Sequence, residues 1–226
     1  MTRHVVVTGA NRGIGLGLVK LLLSRGDKVT GTARDLASAH ALRATGARAL
    51  ALDVTAPASV AAFAAALGDE PVDVLVNNAG ASARWGGGVE GIDLEVCVQL
   101  FRVNALGAIA VTQALLPHVR RGAGRTVLHV TSMMGSIADN TSGGSYAYRM
   151  SKAALNMASR SLSVDLRGER ISSFVVHPGW VKTDMGGPGA TVDVEDCVAG
   201  LARLLEGDTM ARSGKFFHYL GHEAPF

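Results

Sequence analysis

This sequence predicts a doubly wound α/β fold, a parallel sheet of about seven strands with helices on both faces, on three observations. Seven short apolar runs recur along the chain: HVVVT, KVTGTA, ARALALDV, VDVLVNNAG, GRTVLHVTS, ISSFVVHPG and GKFFHY. Segments rich in Ala and Leu separate them, such as GLGLVKLLLSRG, which ends on an Arg and a Gly as helices often do. The runs are continuously apolar instead of alternating, as strands covered on both faces must be. Strands of this kind alternating with helices read as a parallel sheet.

Composition bounds the rest. The 226 residues suit one α/β domain spanning 1–226, since length is only a soft guide to domain number. Hydrophobic residues make up 48% and charged residues 18%. No apolar run approaches the roughly 18 residues of a membrane span, so a globular protein without a membrane partner is expected. The start, MTRHVVVTGA, enters a strand without the pattern of a signal peptide, and a cytoplasmic location is expected. Cys97 and Cys197 lie far apart with no CxxC or CxxH nearby, which argues against zinc and against a disulfide framework. The net charge of +3 comes from scattered basic residues, so nucleic acid is not an expected partner. A slightly basic surface favours an anionic small ligand.

The elements carry chemistry in order. Directly after the first strand, VVVTGANRGIGLG places Gly9, Gly13 and Gly15 at the start of the first helix. Glycines there let a pyrophosphate approach unpaired helix N–H groups, although the G-x3-G-x-G spacing departs from G-x-G-x-x-G. The second strand ends on Ala33, Arg34 and Asp35, the third on Asp53 and Val54, and the fourth on NNAG, Asn77 to Gly80. Gly-rich loops are expected over 81–91, with Arg84 and Trp85, and over 186–193. The fifth strand ends at Ser132. In the next helix Tyr148 and Lys152 are four apart and share a face. Tyr146 lies about 240° away from Lys152 on a 3.6-residue repeat, so only Tyr148 can share a site with that ammonium. No G-x-S-x-G elbow, P-loop or H-E-x-x-H appears. His218 and His222 sit in HYLGHEAP, a poor helix, which disfavours a metal site.

TGANRGIG, NNAG, Asn104, Ser132, YRMSK and PGWVKT stand in the order found in the short-chain dehydrogenase/reductases, and the chain resembles that family nearly end to end. Within it, GSIADNTSGGSYAYRMSKAALNM and PGWVKTDMGG look most like the Sniffer-type carbonyl reductases and the bacterial C-factor group. The resemblance implies a single Rossmann-like domain, strand order 3-2-1-4-5-6-7, and a nicotinamide cofactor across the carboxyl ends of the strands. It implies cofactor contacts from Gly9, Asn11, Arg12, Gly13, Ile14 and Gly15. Asp53 and Val54 are implied at the adenine, and Asn77, Ala79 and Gly80 at the adenosine ribose. Pro178, Gly179, Val181 and Thr183 are implied at the nicotinamide. Asp53 also reads as a turn residue before Pro57, and the asparagines as ties between strands.

An acidic residue at the end of the second strand would bind the ribose 2′-OH of NAD. Here Arg34 stands there, with Arg12 in reach, which favours NADP; Asp35, one residue on, keeps NAD as the alternative. For the reaction, the resemblance implies Tyr148 as general acid/base, Lys152 at the phenol and the nicotinamide ribose, Asn104 holding a proton-passing water, and Ser132 orienting the substrate oxygen. An ammonium beside a phenol is expected to lower its pKa. The family's serine-to-tyrosine spacing is shorter than the sixteen residues here and would fall on Gly135, which has no hydroxyl. Ser132 is kept because it ends the fifth strand, with Ser136 and Ser145 as alternatives.

The expected function is an NADP-dependent oxidoreductase interconverting a small, apolar ketone or aldehyde and its alcohol. The alternative is an NAD(P)-binding signalling or regulatory protein of C-factor type in which turnover is secondary. A homodimer or homotetramer is expected by the same resemblance. The segment 179–193, with four glycines and a proline around Trp180, Val181 and Met185, is expected to be a mobile lid ordered by cofactor; the alternative is an ordinary surface connection.

Overall fold

The computed structural model describes residues 2–83 and 88–226, so expectations resting on Arg84 and Trp85 lie outside the described residues. Seven strands are mutually parallel: β1 His4–Val7, β2 Lys28–Ala33, β3 Arg48–Ala51, β4 Val74–Asn77, β5 Thr126–Val130, β6 Ser172–His177 and β7 Phe216–His218. Each falls inside one of the seven apolar runs. An eighth, β8 Glu223–Ala224, pairs antiparallel with β7. The order is β3-β2-β1-β4-β5-β6-β7-β8, the expected one with an antiparallel edge added. HYLGHEAP is the turn into β8, closed by the His218 amide donating to the His222 carbonyl at 2.9 Å, with Gly221 at φ 101°.

The helices are α1 Gly13–Ser24, α2 His40–Arg43, α3 Pro57–Leu67, α4 Leu94–Phe101, α5 Gly107–Arg121, α6 Tyr146–Asp165 and α7 Val194–Leu204. Pro57 opens α3 at the position where a missing N–H costs nothing. The Asp93 carboxylate caps α4 by accepting from the Val96 amide. Strand side chains divide between two faces with period two. Val5, Val7, Val74, Val76 and Leu128 pack with Leu18 and Leu22 of α1 and Leu201 of α7. Val6, Leu75 and Val127 pack on the other side with Phe63 of α3 and Val111 and Leu115 of α5. Each fully buried Leu, Val or Phe contributes about 1.5–3 kcal/mol. This two-sided burial is why the runs are continuously apolar.

A π turn, Arg102–Leu106, joins α4 to α5 into one helical run, Leu94–Arg121, that is long and apolar enough to cross a membrane by length and composition. Here Val111, Leu115 and Val119 of that run are fully buried in the second face of the core. The order of the strands reverses between β1 and β4. At such a switch point the connections part to opposite faces and leave a crevice outside the carboxyl ends of the strands.

Candidate active site

A cleft of about 720 Å³ occupies that crevice. The turn after β1, the ends of β2 and β3, the NNAG segment after β4, the end of β5, α6 and the segment after β6 all contribute to its wall.

Gly9, Asn11, Arg12, Gly13, Ile14 and Gly15 line its middle. Gly9 has φ +63°, and a Cβ there would stand 2.8 Å from the Ala79 Cα. Only glycine fits such a turn without strain. Arg12 occupies the N-cap position of α1 without a side-chain cap, and the first turn holds no acidic residue. Among the described residues, the first N–H groups of α1 therefore have no side-chain cap from Arg12 and present a partial positive charge to the cleft, as phosphate-binding helix starts do.

At one end stand Ala33, Arg34, Asp35, Ser38, Leu52, Asp53 and Val54. The Asp35 carboxylate turns back on its own loop, accepting from the Ala37 amide at 2.8 Å, and bonds with Ser38 and Ala37 hold its pKa below the usual carboxylate range. Asp53 does likewise: Oδ1 accepts from the Thr55 hydroxyl at 2.7 Å and the Thr55 amide at 2.9 Å, and those bonds lower its pKa. Its carboxylate locks the turn before Pro57 while its residue still lines the cleft. Val54 is wedged against α5, where a Cβ on Gly107 would lie 2.7 Å from its Cγ2.

Asn77 does not line the cleft. It is 4% exposed, and its Nδ2 donates to Thr112 of α5 at 2.9 Å and contacts the His129 ring at 3.3 Å. The strand's alternation favours the second of its two readings, a structural tie: Asn77 shares the side of Leu75, which faces α5. Its neighbour Asn78 lines the cleft and clamps the glycine turn, donating from Nδ2 to the Thr8 and Gly9 carbonyls at 2.9 and 3.0 Å. The Thr8 hydroxyl also accepts from the Asn78 and Ala79 amides. Asn78 thus ties the end of β4 to the turn after β1, the second role read for the asparagines, whereas Thr8 as its partner was not read from the sequence. Ala79 and Gly80 line the cleft.

Tyr148 and Lys152 come from α6 and face the cleft together. Tyr146, 37% exposed, is absent from that wall. Ser132, at the end of β5, hydrogen-bonds Tyr148. Gly135 could not have supplied the hydroxyl, because a Cβ there would lie 2.8 Å from the Lys152 backbone and Cβ. Ser136 is buried, with its Oγ accepting from the Asp139 amide. Lys152 is 5% exposed, and its Nζ donates to the Val130 carbonyl at 2.9 Å and lies 5.8 Å from the Tyr148 ring centroid. Beside it lies Gly80, where a Cβ would stand 3.3 Å from Asn104 Oδ1 and 3.7 Å from Nζ.

The electrostatics correct one expectation. Burial pushes the Tyr148 phenol up to about 12, with the Ser132 bond pulling the other way, and pushes Lys152 down to about 8. Desolvation penalises the charged form of each and is the largest cause of both shifts. Asn104 lies in the π turn and is 1% exposed. Its Nδ2 donates to the Ala81 carbonyl and the Ser151 hydroxyl, both at 2.9 Å, and its Oδ1 accepts from the Ala81 amide at 2.8 Å. The side chain thus bolts the segment after β4 to α6, between Tyr148 and Lys152.

After β6, Pro178 and Thr183 line the cleft; Gly179 and Val181 do not. Gly179 has φ +83° and supports the turn against Tyr219, and Val181, 4% exposed, anchors the loop in the core. The loop is bonded to itself: Trp180 Nε1 donates to the Gly186 carbonyl at 2.8 Å, and the Thr191 and Val192 amides donate to the Trp180 carbonyl. Lys182, Asp184 and Met185 add to the wall, as does Lys20 of α1.

The family model for the short chain dehydrogenases matches residues 3–191. The C-signal protein of Myxococcus xanthus is 53% identical over 165 residues, covering 73% of this chain and 99% of that protein. The NADPH-bound carbonyl reductase from chicken fatty liver is similar in structure, with a TM-score of 0.92 and 33% identity, covering 100% of this chain and 99% of that one. The Sniffer carbonyl reductase of D. melanogaster has a TM-score of 0.92 and 32% identity over 100% of both chains.

Proposed function

We propose that this chain, which belongs to the short-chain dehydrogenase/reductase family, is an NADP-dependent reductase of small, apolar ketones or aldehydes. The observation that carries the reading is the pair Tyr148 and Lys152 in one cleft with an uncapped glycine-rich helix start, Ser132 being hydrogen-bonded to Tyr148. The carbonyl reductase likenesses support it, one of them NADPH-bound. Arg34 at the cleft's end, beside an Asp35 folded onto its own loop, supports NADP over NAD.

Reduction of a carbonyl leaves an alkoxide that must gain a proton. Bound along this cleft, a reduced nicotinamide dinucleotide supplies the hydride. Tyr148 holds its proton throughout the neutral range and delivers it from Oη to the new alkoxide. Ser132 holds the substrate oxygen beside that phenol. Lys152 offsets the phenolate charge as it forms, which matters because burial alone makes Tyr148 a weak acid. The loop over 179–193 closes on the bound pair; slower cutting after Lys182 in limited proteolysis when NADPH is added supports this, and equal rates contradict it.

Carbonyl reduction has a predictable pH dependence. Burial lowers the Lys152 pKa, so its ammonium is complete below about 8 and lost above it, while Tyr148, at about 12, does not titrate there. Therefore kcat/KM for reduction declines as pH rises through about 8, and in Lys152→Arg the decline moves to higher pH. A rate that climbs through that range contradicts the assigned role.

A second reading rests on the 53% identity to C-signal: a binding or regulatory protein in which turnover is secondary. A panel of carbonyl compounds with NADPH and with NADH, followed by loss of the reduced cofactor's absorbance, separates the two. Tight NADPH binding with no consumption on any carbonyl favours the second.

A further inference from the structure

The cations around the cleft differ in what already holds them. Arg12 Nη1 donates to Asp184 Oδ2 at 3.0 Å, and the two side chains are 69% and 77% exposed. Lys182 is paired with Asp193 at 2.9 Å. Arg34 makes no side-chain hydrogen bond or ion pair among the described residues, although it is close enough to Asp53 to lower that carboxyl's pKa. Arg12 and Asp184 belong to different segments, the glycine turn after β1 and the loop after β6, and both line the cleft. The segments touch a second time, because a Cβ on Gly13 would lie 3.1 Å from the Thr183 Cγ2. The carboxylate thus sits on one of the two arginines that a phosphate in this cleft would use.

We infer that Asp184 is a specificity-determining residue: it competes with the 2′-phosphate of NADP(H) for Arg12, so the preference between the two nicotinamide cofactors is set by ion-pair exchange at Arg12 as well as by Arg34. This rests on the NADP reading above. A guanidinium's planar fork matches carboxylate and phosphate alike, so one partner can replace the other. A dianionic phosphate brought to Arg12 meets a carboxylate already there, and the two anions repel. Either Asp184 swings out into solvent, which its exposure permits, or the phosphate binds less tightly. An exposed ion pair of this kind is worth at most about fivefold in an equilibrium constant. Salt screens it over roughly 10 Å at 0.1 M.

The test is titration of NADPH and of NADH, at low and high ionic strength, into the wild type, Asp184→Asn, Arg12→Ala and the double variant. The expected result is that Asp184→Asn tightens NADPH roughly three- to fivefold at low salt and NADH much less. That gain disappears at high salt and in the Arg12→Ala background. Equal tightening for both cofactors would place the competition at the shared diphosphate and overturn the inference. So would a gain that survives without Arg12, or weaker NADPH binding in Asp184→Asn. A wild type that prefers NADPH, with Asp184→Asn unchanged, overturns this inference alone. A wild type that binds NADH as well as NADPH overturns the NADP reading and this inference with it.

Discussion

Replacing Tyr148 with Phe lowers the rate of carbonyl reduction about 10²–10⁴-fold while leaving NADPH affinity nearly unchanged. The substitution keeps the ring and removes the hydroxyl that bonds Ser132 and carries the transferable proton. Desolvation already keeps that phenol protonated, so what is lost is the donor itself and not a shape in the cleft wall. Tyr146→Phe is the control. Its ring begins α6 but is exposed and stands outside the cleft, so its loss leaves most turnover intact. Steady-state rates for the two variants, beside NADPH titrations, decide the matter. A larger loss in Tyr146→Phe would sink the assignment.

Arg34→Asp weakens NADPH binding roughly 10–100-fold and NADH binding far less. A hydrogen bond to a charged group contributes about 1.5–3 kcal/mol, and the introduced carboxylate adds repulsion to its loss. Asp35 does not compensate, because its carboxylate is already bonded to the Ala37 amide and Ser38. Fluorescence titration with both cofactors gives the ratio. Equal losses would mean that Arg34 turns away from the phosphate.

Much of this was legible along the chain because strand burial is local. A run such as VDVLVN shows its two-sided packing residue by residue, and all seven runs became parallel strands. Helical spacing separated Tyr148 from Tyr146 for the same reason: four residues return to one face and six do not. The placement of Asn77 and Asn78 needed one more step, namely which parity of β4 faces α5. Ser132 was read from its place at the end of the fifth strand, and packing adds that Gly135 is pressed on the backbone of α6. The pKa values were misjudged because charge attraction can be read from spacing whereas desolvation depends on everything packed around it. The Arg12–Asp184 pair was beyond reach, since its partners are 172 residues apart and meet only when the loop after β6 folds over the glycine turn. The edge strand β8 is two residues long and carries too little pattern to announce itself.

The central claim is that this cleft passes a hydride from a nicotinamide to a carbonyl carbon, with Tyr148 supplying the proton. The most direct measurement uses NADPH deuterated at the transferable position of the nicotinamide, an apolar ketone, and mass spectrometry of the alcohol formed. The account predicts one deuterium on the carbinol carbon with the wild type and almost no alcohol with Tyr148→Phe. Alcohol without deuterium, or deuterated alcohol formed equally fast by Tyr148→Phe, would contradict it.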